Sequence, residues 1–71
     1  MREWLKEARL ARKLTQKQMA DAVGVTEAYY SLIESGDRQK KIDLTLALRL
    51  GTALGLSIAE VAKLEEANND K

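Results

Sequence analysis

The stretch Thr15 to Glu34, TQKQMADAVGVTEAYYSLIE, constrains the fold of this chain more than any other. It divides at Gly24 into two short helical runs. Thr15 is an N-cap residue, whose side-chain oxygen can accept a backbone N–H from the first helical turn. A helix over about Gln16 to Val23 then sets Met19, Ala20 and Val23 on one face. Ala20 is small enough for another helix to cross closely. Gly24 falls where this helix must stop and the chain must reverse, in a left-handed conformation that costs glycine nothing. Val25 completes the turn, and Thr26 caps a second helix over about Glu27 to Ser35. Two helices joined so tightly must pack against each other.

No stretch outside this unit has a strand pattern, and proline is absent. Residues from Arg2 to about Lys13 are mostly Leu, Ala, Arg, Lys and Glu, which favour a helix. Asp43 or a neighbour can start a helix running through Leu54, with Gly55 as its stop. Ser57, with Glu60 three residues on, has the spacing of a capping box and opens a last helix. Ile58, Val61, Ala62 and Leu64 form its apolar face. Between the third and fourth helices, Gly36 to Lys41 reads as a polar, basic loop. The expected fold is all-α with five helices. One domain is expected over 1–66, with 67–71 a polar tail that frays.

With 71 residues the chain makes a single small core. It has no cysteine and no histidine, so disulfides, thiolate metal sites and imidazole chemistry are excluded. The acidic residues are scattered over helix surfaces, and no nucleophile with a base and an orienting group can be assembled. An enzyme is therefore not expected, nor a cofactor, a metal or a small-molecule substrate. No apolar run reaches the length of a membrane span, and a soluble, cytoplasmic protein is expected. The net charge is +1, but it is unevenly distributed. Residues 1–41 carry nine Lys or Arg against six Asp or Glu, and residues 42–71 carry three against five. A polyanion should meet the first half.

The spacing of Ala20, Gly24 and Val25, the Thr15-Gln16 helix start and the Ile33-Glu34-Ser35-Gly36 helix end resemble the lambda-repressor/Cro-like helix-turn-helix proteins, the XRE family. The resemblance runs from about Leu5 to Val61. It implies a five-helix lambda-repressor-like domain whose third helix enters the major groove of double-stranded DNA. It further implies a transcriptional regulator, in minimal form a dimeric repressor of phage, plasmid or mobile-element type on a palindromic operator. By the same resemblance, Arg9 and Glu34 form an ion pair that is at least partly buried and fixes how the third helix is aimed.

The outward face of that helix carries Glu27, Ala28, Ser31 and Leu32, at positions that read bases in the family. Its chemistry is unusual, for it has no Arg, Lys, Asn or Gln to make bidentate contacts with guanine or adenine. Glu27 can accept from a cytosine amino group or simply favour the helix N-terminus through the helix dipole. Ala28 and Leu32 can touch thymine methyls. Backbone contacts fall to Gln16 and Lys17 at the start of the second helix, to Thr26 and Tyr29, and to Arg38, Lys40 and Lys41 in the basic loop. That loop is about two residues longer than is usual in the family.

Helix four is apolar on nearly every side. By the same resemblance, Leu44, Ala47, Leu50, Gly51 and Leu54 face the core, which leaves Leu46 and Leu48 surplus, with Leu56 and Trp4 beside them. Leu46, Leu48 and Leu56 are therefore the expected homodimer contact. A competing reading keeps the fold without tight DNA binding, as a protein-interaction module such as an antitoxin, anti-repressor or co-regulator. Its motives are the small apolar face of Ala28 and Leu32 and the surplus leucines.

Overall fold

The computed structural model describes residues 1–36 and 42–69. Five α-helices follow in order: α1 Glu3–Ala11, α2 Gln16–Val23, α3 Glu27–Ser35, α4 Leu44–Leu54 and α5 Ile58–Asn69. The described residues contain no strand. α2 packs on α3 and on α4, α4 packs on α5, and α1 closes the ring against both α3 and α5.

Local chemistry sets most of the boundaries. Thr15 accepts from the Gln18 backbone N–H while the Gln18 side chain accepts from the Thr15 N–H, so α2 begins with a complete capping box. Thr26 caps α3 through the Tyr29 N–H, and Asp43 caps α4 through the Leu46 N–H at 2.7 Å. Ser57 and Glu60 form a second box at the start of α5. Gly24, Gly36 and Gly55 end α2, α3 and α4 in the left-handed region. At each of these ends an arginine from elsewhere donates to a terminal carbonyl. Arg49 reaches Val23 O, Arg2 reaches Ile33 O, and Arg12 reaches Leu54 O. A cation at a helix C-terminus satisfies an orphan acceptor and opposes the helix dipole.

Two ends differ from the sequence reading. α1 stops at Ala11, because Lys13 takes φ +58 and turns the chain so that the Leu14 N–H bonds back to Arg9 O. Nothing in the Arg12-Lys13 pair marks that turn, which glycine usually makes. α5 continues to Asn69, into the stretch expected as tail, since Glu65, Glu66 and Ala67 are helix formers and Glu65 is anchored to α1.

The core gathers Trp4, Leu5, Met19, Ala20, Val23, Tyr30, Ile33, Leu46, Ala47, Leu50, Leu54 and Val61. Three of these memberships and one exclusion decide how α4 sits. Leu46, expected at a dimer contact, is 8% exposed and belongs to the molecule's own core. Leu46, Leu50 and Leu54 stand one turn apart and form a single buried row. Leu44, assigned to the core, is 68% exposed. It lies two residues, about 200° of rotation, from Leu46 and borders a shallow groove between α4 and α5. Trp4 is buried rather than surplus, and Leu56 is half-buried against the core. Leu48 alone of the expected dimer residues is well exposed. On α5, Val61 is buried, while Ile58, Ala62 and Leu64 remain open to solvent.

Gly51 makes the α4–α5 approach possible. A Cβ built there would lie 2.7 Å from Leu56 O and 3.2 Å from Val61 Cγ2. The Leu56 N–H in turn donates to Gly51 O at 2.8 Å, so the backbones meet directly.

Candidate nucleic-acid interface

α3 is buried along one side and open along the other, as its residue order dictates. Tyr30, Ile33 and Glu34 face inward, completely or nearly so. Glu27, Ala28 and Tyr29 are exposed on its first turn. Ser31 and Leu32, expected on the outward face, are half-buried, so the open strip narrows toward the C-terminus of the helix. Thr26, which caps α3, is exposed as well.

Beneath this strip lies a polar cluster. Glu34 is only 2% exposed, yet its carboxylate accepts four hydrogen bonds. Arg9 donates through Nε to Oε2 at 2.9 Å and through Nη2 to Oε1 at 3.2 Å. Tyr30 Oη donates to Oε2 at 2.8 Å, and Gln16 Nε2 donates to Oε1 at 3.1 Å. Arg9 also donates through Nη1 to Leu14 O. Among the described residues no buried side-chain nitrogen or oxygen lacks a partner. Such complete satisfaction is what lets a charge pair stay inside a small core.

Titration follows from these contacts. Burial alone would push the Glu34 carboxyl up, but the bonds from Arg9, Tyr30 and Gln16 and the Arg9 charge outweigh it and hold the pKa below normal. The bond to Glu34 raises the Arg9 pKa against a smaller opposing effect of burial. Tyr30 is pushed well above the usual phenol range, first by burial and then by its bond to Glu34. Glu34 and Arg9 are thus charged, and Tyr30 neutral, at ordinary pH.

Gln16 joins the interior and the surface. One of its amide hydrogens is used on Glu34, and the half-buried side chain has a second. Lys17 beside it is exposed. The N-terminus of α2 therefore offers backbone N–H groups, an amide and a cation beside the last turn of α3, where Gln16 meets Glu34. Arg38, Lys40 and Lys41 lie outside the described residues. Arg12 is occupied at the end of α4.

One constellation had no sequence signal. Arg2, just before α1, is buried and chelates Glu65 of α5 through Nε and Nη2. Its Nη1 donates to Ile33 O at 2.7 Å, and Trp4 Nε1 donates to the same Glu65 carboxylate. The partners are 63 residues apart, and neither sits in a periodic or capping pattern.

No single helix among the described residues is long and apolar enough to cross a membrane. A capped short helix, a left-handed glycine turn and a second capped helix with one open side define a helix-turn-helix protein. The family model for the helix-turn-helix domain matches residues 5–64, and the chain belongs to that family in its lambda-repressor-like, XRE form. It is similar to the uncharacterized HTH-type transcriptional regulator YqaF of Bacillus subtilis (strain 168), with 38% identity over 55 residues. The match covers 78% of this chain and 70% of that protein. No solved structure matches significantly.

Proposed function

We propose that the protein is a sequence-specific DNA-binding transcriptional regulator, a small dimeric repressor that sets α3 in the major groove of a palindromic operator. The observation that carries this reading is the two-sidedness of α3. Its inner residues are locked to α1 and α2 through Glu34, Tyr30 and Ile33, while Glu27, Ala28 and Tyr29 stand open on its first turn. Membership in the helix-turn-helix family, and the name of the related YqaF, support it.

In this mechanism the N-terminus of α2 seats a backbone phosphate, with Gln16 and Lys17 as donors and Thr26 and Tyr29 along the same rim. Arg38, Lys40 and Lys41, which follow α3 in sequence, add charge to the flanking backbone. Glu27 selects cytosine, and Ala28, Ser31 and Leu32 select by methyl contact and shape. Glu27 also repels misplaced phosphates, so it narrows the accepted sequences more than it adds affinity. A second copy is assigned to the open leucines of α4, Leu44 and Leu48, with Ile58 of α5 beside them. Leu46 has no part in that contact.

Selection of bound duplexes from a random pool at low salt tests the reading. An enriched motif with two related half-sites about one helical turn apart is the expected result. Affinity for it should fall steeply with salt, and Lys40→Ala should flatten that slope while keeping the preferred bases. Failure to enrich any sequence would leave α3 as a protein-docking face. The absence of Arg, Lys, Asn and Gln on its outward side favours that second reading.

A further inference from the structure

We propose that Arg2, paired with Glu65, is a positioning residue that sets the angle of α3 and thereby its base selectivity, an inference that rests on the DNA reading above. Arg2 spans three elements from one buried position. It immediately precedes α1, holds the Glu65 carboxylate of α5 by three contacts of 2.9–3.1 Å, and donates to Ile33 O in the last turn of α3. Its own backbone N–H donates to the next carbonyl, Glu34 O, at 2.8 Å. Two consecutive terminal carbonyls of α3 are therefore held by one residue. Trp4 Nε1 donates to the same carboxylate and fixes its orientation.

This clamp acts at the opposite end of α3 from the exposed first turn. Ile33 and Glu27 are about 9 Å apart along a helix axis, so a tilt of about 10° at the clamp displaces Glu27 by about 1.6 Å. A shift of that size removes a hydrogen bond to a base edge. Arg2 itself is 2% exposed and cannot meet a phosphate. Its effect on binding therefore passes through the elements it joins, and α3 is the one that meets DNA in the proposed function. The clamp is also distinct from the Arg9–Glu34 pair, with which it shares no side chain.

A directional role and a merely cohesive one predict different things for an apolar replacement. Buried ion pairs exchanged for apolar residues of similar volume commonly keep the fold, but they lose the direction of the bonds. The double variant Arg2→Met/Glu65→Leu should therefore unfold at a temperature close to the parent's. Its preference for the selected duplex over a random duplex should fall about tenfold, the scale on which remote positioning contacts act. The salt slope should stay the same, because no phosphate contact is lost. An unchanged preference in the folded double variant overturns the inference and leaves the DNA reading intact. Should that variant not fold, Glu65→Gln keeps an acceptor on Arg2 and should lower the preference by a smaller factor, about threefold. No change there overturns the inference as well. A parent protein that selects no sequence defeats both this inference and the reading beneath it.

Discussion

The two flanks of the ring are held by different forces. On the α4 flank the contacts are apolar and close. Leu46, Leu50 and Leu54 form one row, Val61 covers it from α5, and Gly51 lets the two backbones touch. On the α1 flank the contacts are charged and directional. Arg9 holds Glu34 of α3, and Arg2 holds Glu65 of α5 and the carbonyl of Ile33. Apolar burial is strong but nearly indifferent to angle, whereas a bidentate guanidinium–carboxylate pair has a preferred geometry. In the proposed function, the α4 flank accordingly supplies cohesion and the α1 flank supplies aim. α3, the helix whose direction matters most in the proposed function, is held by the directional flank.

The largest expected effect lies on the cohesive side. Leu50→Ala should lower the unfolding free energy by about 3 kcal/mol, measured by urea denaturation. In the fraction that remains folded, the preferred DNA sequence should be the parent's. A changed base preference would erase the contrast between the flanks. Gly51→Ala belongs to the same side. Its new methyl meets backbone at Leu56, so a loss of about 2 kcal/mol is expected from forced movement of the α4–α5 turn.

The directional side should respond to pH where the apolar side does not. Glu34 has a lowered pKa in the fold, so its contribution is present above the ordinary glutamate value of about 4.3 and is lost as pH falls through the folded value. Tyr30 has a raised pKa, so its contribution holds below about pH 10 and is lost as pH rises beyond it. Ionising Tyr30 would remove a donor and set a phenolate against the Glu34 carboxylate. A stability profile by thermal denaturation should lose its acid limb, in part, in Glu34→Gln and its alkaline limb in Tyr30→Phe. Identical profiles for parent and variants would show that the cluster contributes no directional energy.

The smallest effect is a gain. Lys13 ends α1 at φ +58, a region that penalises a Cβ by about 1 kcal/mol. Lys13→Gly should raise stability by that amount or less, since glycine also loosens the unfolded chain. Calorimetry would detect it, and a loss instead would mean that the lysine side chain stabilises the turn.

The division between the flanks also explains what could be read from the sequence. Thr15, Thr26, Asp43 and Ser57 reach only three residues along the chain, so their caps are visible in the order of residues. Gly24 and Gly55 mark turns for the same reason. On α3, Tyr30 and Ile33 are buried on the side away from Glu27 and Ala28, as helical spacing requires. The assignment of Leu44 and Leu46 failed because α4 is apolar nearly all round, and its rotation is decided by α2 and α5 rather than by its own pattern. Ser31 and Leu32 lie deeper than spacing alone implies. Arg2, Arg12 and Arg49 each cap a carbonyl of a helix distant in sequence. No rule based on neighbours along the chain could have found them.

In the proposed function, the Arg9–Glu34 pair works as one device that aims α3. A double-mutant cycle with Arg9→Met and Glu34→Met, read as the ratio of selected-duplex to random-duplex affinity, tests it most directly. Each single variant should lower that ratio, and the double variant should lower it no further than the worse single one. Losses that simply multiply, or a ratio that never changes, would contradict the claim.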